Sequence, residues 1–276
     1  MNADTPPVTG TFLAALARKE CKAIAKALGN RKDRHKGIHE ARKAIRRLRS
    51  LLALVSDPVG HETAQIDLAL KKQAKRLSVL RDAQVVVAVA EKLALDDASG
   101  EWAVAAQVLA VQRDLLLETE LEKDLGFARR VAAINDIAVV LDKLRWKRVG
   151  QKALQLSIKK GHRRVNKSEH AAAEHGTPAN LHRWRRRVRR LRMQLDTIHA
   201  LNELAGVKIQ AADTHSNKSS KALAKLADAL GWRQDIQILR AALRTFPDAT
   251  MLANLRRRLR AETKACTDHR HAQHAQ

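Results

Sequence analysis

One stretch of this chain concentrates groups able to hold an anion: His39-Glu40-Ala41-Arg42-Lys43-Ala44-Ile45-Arg46-Arg47-Leu48-Arg49. The same pattern, H-x-x-R-(K/R)-x-x-R-R-L-R, returns at His182-Arg183-Trp184-Arg185-Arg186-Arg187-Val188-Arg189-Arg190-Leu191-Arg192, 143 residues later. Guanidinium and ammonium groups make charge-assisted hydrogen bonds to phosphate or carboxylate oxygens. A histidine beside them can take up a proton when an anion arrives. The chemistry on offer is therefore anion binding, offered twice.

The elements that must carry it are helices. At about 100° per residue, His39, Arg42, Lys43, Arg46 and Arg49 share one face, and Ala41, Ala44, Ile45, Leu48, Leu51 and Leu52 take the other. The second copy sets His182, Arg185, Arg186, Arg189 and Arg192 opposite Leu181, Val188, Leu191 and Leu195. Like charges at i,i+4 cost roughly 0.2–0.5 kcal/mol per pair. A single basic face is ordinarily a solvated surface. A basic face written twice in register argues for a bound anion that offsets the repulsion, and for an internal duplication.

Composition agrees. The 276 residues carry 53 Lys plus Arg against 29 Asp plus Glu, a formal charge of +24, which repels itself and calls for a polyanionic partner. Hydrophobic residues make up 45%, enough for a core, while Gly, Pro and aromatic residues are scarce and tyrosine is absent. Ala, Leu, Lys, Arg and Gln dominate, so the expected fold class is all-α. Cys21 and Cys266 have no metal-site spacing and read as cytosolic thiols. No cleavable leader or apolar run of membrane-spanning length is visible, so the expected setting is the cytoplasm, without membrane contact.

Residues 1–10 read as a loose tail, and a first helix is expected from about Thr11 to Leu28, stopped by Gly29-Asn30. The first cationic helix should run from about His35 to Val55 and end at Asp57-Pro58. The segment from His61 to Leu80 brings Lys72, Lys75 and Arg76 as further candidate anion ligands. The β-branched run from Gln84 to Leu95 is read as helix because it has no partner strand. Ser99 is an expected N-cap for a helix from Glu101 to about Thr119, and another helix should run from Glu122 to Leu144. A long basic helix from Trp146 to Ala173 should pair with the second cationic helix, which opens at Thr177-Pro178 and closes at Gly206. A helix from Lys218 to Leu230, capped by Gly231, carries Lys218, Lys221 and Lys225 as candidate ligands. Asp235 to Phe246 and Asp248 to Thr263 are two more. Arg81-Asp82 is echoed by Gln234-Asp235, whose aspartates suit helix N-termini or the orientation of a nearby arginine. The tail with His269, His271 and His274 reads as disordered, with residues 266–276 outside the fold.

At the two rows, and at Arg81-Asp82, the sequence resembles the CHAD domains, histidine-bearing α-helical domains found alone or fused to triphosphate-tunnel enzymes. The resemblance covers roughly residues 11–265, as two repeats of about 11–141 and 145–265. It implies two pseudo-symmetric four-helix bundles related by an approximate two-fold, with the rows facing a basic central channel. It also implies inorganic polyphosphate as the partner, and association with polyphosphate granules. Residue by residue, His39, Arg42, Lys43, Arg46 and Arg49 match the first row and His182, Arg185, Arg186, Arg189 and Arg192 the second.

Two other classes of function are open to such a sequence. A nucleic-acid-binding helical protein fits the charge, and other polyanions could bind non-specifically. Single-strand binders, however, use aromatic stacking platforms, and Trp184 is the one candidate here. An enzyme fits less well: no P-loop, H-E-x-x-H or nucleophile-base order is visible, and Glu118-Thr119-Glu120-Leu121-Glu122 reads as a solvated acidic turn. The expectation is a non-catalytic binder without cofactor or metal.

Overall fold

Helix-forming composition is matched by helices throughout the computed structural model, which describes residues 8–206, 209, 219–246 and 251–261. No strand occurs among these residues. Lys218, Cys266 and the three tail histidines lie outside them. The helices are α1 (Val8–Leu28), α2 (Arg34–Val59), α3 (Glu62–Arg76), α4 (Ser78–Ala94), α5 (Glu101–Lys123), α6 (Ala128–Asp142), α7 (Gln151–Glu174), α8 (Pro178–Ala205), α9 (Ser220–Ala242) and α10 (residues 251–261). The fold class is all-α. No helix among the described residues is long and apolar enough to cross a membrane.

The helix ends show local chemistry at work. Asp33 caps α2, its carboxylate accepting from the Lys36 amide at 2.9 Å. Thr177 caps α8 by accepting from the Asn180 amide, Pro178 occupies the first turn, and Gly206 ends the helix in the left-handed region.

Several boundaries differ from expectation. α1 starts at Val8, and α2 runs past Pro58 to Val59. A proline so near the end of a helix forfeits one backbone bond. Gly60, at φ 114°, then turns the chain while its N–H donates to the Ser56 carbonyl. α4 begins at Ser78, so Arg81-Asp82 lies inside its first turns and not in a loop. The largest difference is α9, which passes straight through Gly231. Gly231 is buried and stays helical, so it caps nothing and Asp235 lies mid-helix.

The chain forms two compact units, one of residues 1–77 and 124–227, the other of 78–123 and 228–276. Each takes segments from both sequence halves. In the first, α1 packs on α2, α7 on α8, and α2 directly on α8. Its core holds Leu13, Ile24 and Leu28 of α1 with Ile38, Ile45, Leu48 and Leu52 of α2, all essentially inaccessible. Fully burying such a side chain is worth about 1.5–3 kcal/mol. Gly37 lets α2 close on α1, since a Cβ there would strike the Ala27 carbonyl oxygen. In the second unit, α4 packs on α5. Val87 and Ala90 of α4, Trp102 and Leu109 of α5, Ile236 and Leu239 of α9, and Leu255 and Leu259 of α10 form one apolar core.

Candidate anion-binding site

Both cationic rows belong to the first unit, on α2 and α8. Where these helices pack, Ser50 Oγ lies 3.5 Å from Met193 Sδ, and Gln194 Nε2 donates to the Ser50 carbonyl at 3.3 Å. Ser50 and Met193 are 143 residues apart, the offset of the duplicated motif. Equivalent positions of the two copies therefore meet where the helices pack.

The rows are not uniformly open to solvent. His39, Lys43, His182 and Arg186 are exposed, while Arg42, Arg46, Arg49, Arg189 and Arg192 are half-buried. Arg185 is buried at 8% exposure, next to Trp184 at 4%. The indole is thus a core side chain and offers no open face for stacking. Lys72, Lys75 and Arg76 are exposed on α3, and Lys221 and Lys225 on α9.

Some row residues have structural work. Arg42 donates to the Ala74 carbonyl in the last turn of α3, where a cation meets the negative end of the helix. Arg49 grips Asp67 of α3 with two parallel bonds, 2.7 and 2.9 Å long. In the second half the corresponding Arg192 faces Asp196 on its own helix at 3.8 Å. Ser220 of α9 donates to that same carboxylate at 2.6 Å. In both halves a carboxylate beside the row's last arginine ties the cationic helix to another helix, with the acid on the neighbour in one half and on α8 in the other.

Beside the rows lies a cleft of about 400 Å³ lined by α2, α7 and α8. Lys160 and Arg164 of α7 and Arg183, Arg186, Arg187 and Arg190 of α8 line it, with Asp57 the one acid among the described residues that do. Lys160 pairs with Asp57, which leaves the arginines in excess. Ser56, Ser157 and Gln194 add neutral polar groups, and Gly161 lets α7 approach α8, since a Cβ there would press on Leu191. Of the residues expected from the motif, Arg186 lines this cleft.

The electrostatics show crowding. Burial, then the charges of Arg164, Arg183 and Arg186, hold Arg187 below the usual arginine range. Arg190 is lowered too, by burial first, then by Arg49, Arg186 and Arg164, with Asp67 opposing. Arginine remains charged at neutral pH, so the repulsion stays in place until an anion relieves it. Arg190, a lining residue of the cleft, thus feels the charge of one arginine from each row.

The motif does not single out Arg183 and Arg187, because the two copies differ there; Arg190 is an arginine in both copies but lies about 80° round the helix from His182, at the edge of the row's face. At the matching places the first copy has Glu40, Ala44 and Arg47. There Arg47 is bound to Glu20 at 2.8 Å, Lys43 faces Glu40 at 3.8 Å, and Ala44 is buried. One flank is neutralised and the other is left cationic.

No curated protein sequence matches the chain. Among solved structures it is similar to the CHAD domain from the plant Ricinus communis, with a TM-score of 0.63 at 20% identity over 96% of this chain and 90% of that one. It is also similar to PptA from Streptomyces chartreusis, again with a TM-score of 0.63, at 18% identity over 94% of this chain and 96% of that one. At such identities the likeness concerns the fold. The sequence itself matches the family model for the CHAD domain over residues 14–244, most of its length, and the chain belongs to that family.

Proposed function

We propose that this protein binds inorganic polyphosphate, without catalysis, along the α2 and α8 rows and in the adjoining cleft of α2, α7 and α8. The observation that carries the reading is the composition of the cleft: among the described residues, six cationic side chains line it against one carboxylate, itself engaged by Lys160. The meeting of equivalent positions at Ser50 and Met193 supports a two-fold arrangement of the rows about one ligand. Polyphosphate is a flexible string of charge without bases. It suits a site rich in guanidinium forks whose Trp184 is buried. Such binding would hold the protein at polyphosphate granules.

The test is direct titration of long-chain polyphosphate against the wild type and the Arg187→Glu/Arg190→Glu variant, with thermal melting as the check on folding. The variant is expected to lose at least tenfold in affinity while melting as a folded protein. Reversal of the exposed Arg129 and Arg148, which are not among the cleft's lining residues, is expected to weaken binding less than twofold. Equal losses from the two variants would show a diffuse positive surface and defeat the proposal. So would preferential binding of single-stranded nucleic acid over polyphosphate at matched charge.

A further inference from the structure

The second unit holds another cationic cleft, of about 220 Å³, lined by Arg240, Arg244, Arg256, Leu259 and Arg260. No carboxylate is among its lining residues that the structure describes. We propose that this cleft is a separate site for a short, densely charged phosphate anion of two or three phosphates.

The register of the arginines is fixed by the core. Each follows a buried leucine: Leu239-Arg240 and Leu243-Arg244 at the end of α9 and its 3-10 extension, Leu255-Arg256 and Leu259-Arg260 on α10. The four leucines interlock in the apolar core of this unit at 2% exposure or less. Within each segment the spacing is four residues, so two arginines stand on one side of the cleft and two on the other. Neighbouring arginines on α10 are spent differently: Arg257 donates to Asn254, and Arg258 to Asp97. The run Arg256-Arg257-Arg258 is therefore not one basic patch but three side chains with three assignments.

Size and charge select the ligand. Sites for drug-sized molecules run to about 300–1,000 Å³, so this one suits a smaller guest. Four guanidinium groups, which cannot lose their protons near neutral pH, need several negative charges in a small volume. A single carboxylate supplies too few. Pyrophosphate, triphosphate or the end of a phosphate chain supplies enough, with oxygens on every side for paired N–H donors. The site is lined by different residues, all of the second unit, and does not rest on the reading of the α8 cleft.

Calorimetric titration of the full chain with sodium tripolyphosphate tests this, using Arg244→Glu/Arg256→Glu beside Arg187→Glu/Arg190→Glu. The first variant is expected to lose a binding event, or at least tenfold in affinity, that the second retains. The neutral pair Arg240→Gln/Arg260→Gln should show the same loss in milder form, which guards against misfolding by charge reversal. If tripolyphosphate binding survives both unit-two variants unchanged, the inference is overturned while the proposed function stands. If the unit-two site binds tripolyphosphate but no variant affects long-chain binding, the inference stands and the proposed function falls. Long-chain polyphosphate added to the Arg187→Glu/Arg190→Glu variant separates the sources. Displacement of tripolyphosphate identifies the site's guest as a chain end, and lack of displacement identifies it as a free oligomer.

Discussion

Among single residues, Asp97 shows how a charge is put to structural use. Its carboxylate is 1% exposed, and such burial raises a carboxyl pKa. The Trp102 amide, the Arg258 guanidinium and the Ser99 hydroxyl and amide outweigh that effect and hold it well below the usual aspartate range. Asp97 therefore caps α5 through the Trp102 amide at 2.8 Å, a part the sequence pattern gives to Ser99, and ties α5 to α10. Replacing Asp97 with Ala should cost about 2 kcal/mol, the upper range for a lost cap. The folded-state pKa is depressed, so the stabilisation is complete above the unfolded value of about 3.9 and fades as pH falls below it. Denaturant midpoints should show a wide gap between wild type and variant at pH 7 that narrows by pH 3; a constant gap would remove the charge from the explanation. Cys21 is the converse case. Burial, aided by Asp142 and Glu20, pushes its thiol up to about 12, so no thiolate forms at neutral pH. In a Cys266→Ser background, alkylation of the native protein at pH 8 should be slower by orders of magnitude than alkylation of the denatured protein.

At the scale of the element, close approach decides what the helices tolerate. Gly37 is the point where α2 meets α1, and Ala there would gain up to about 1 kcal/mol in helix propensity but drive a methyl into the Ala27 carbonyl. Overpacking of this kind costs about 1–3 kcal/mol, and the obstacle is backbone, which yields least. Gly37→Ala should therefore lower the melting temperature, and a rise would show that α1 and α2 can separate freely. Elements with strong local signals were legible in the sequence. Thr177-Pro178 and Gly206 bracket α8 because cap chemistry acts within a few residues. The apolar run within α4 was placed on a helix by the lack of any partner strand, although its β-branched residues suit either state. Gly231 misled because a glycine that ends a helix and one that is simply buried within it look alike in sequence; what surrounds it decides. The cleft was hidden for a related reason. Its cations come from α7 and α8, and their convergence depends on packing that spacing along one helix does not encode.

For the whole molecule, the charge of +24 makes some polyanion affinity inevitable, so affinity alone is a poor test of a built site. Salt dependence separates the two. Binding that displaces condensed counterions weakens linearly in log–log form, with a slope of about −0.7 per neutralised charge for a single-stranded chain. Polyphosphate, as a flexible single chain, should follow the same law. If Arg187 and Arg190 each meet a phosphate, the neutral variant Arg187→Gln/Arg190→Gln should have a slope shallower by about 1.4. A diffuse positive surface behaves otherwise: neutralising two of its 53 cationic residues leaves others to take their place, and the slope barely changes. Titrations of long-chain polyphosphate at four or five salt concentrations from 50 to 300 mM, on wild type and variant in parallel, give both slopes. A variant that loses affinity with an unchanged slope would mean that Arg187 and Arg190 shape the cleft without touching the chain. The ligand would then rest on the α2 and α8 rows alone.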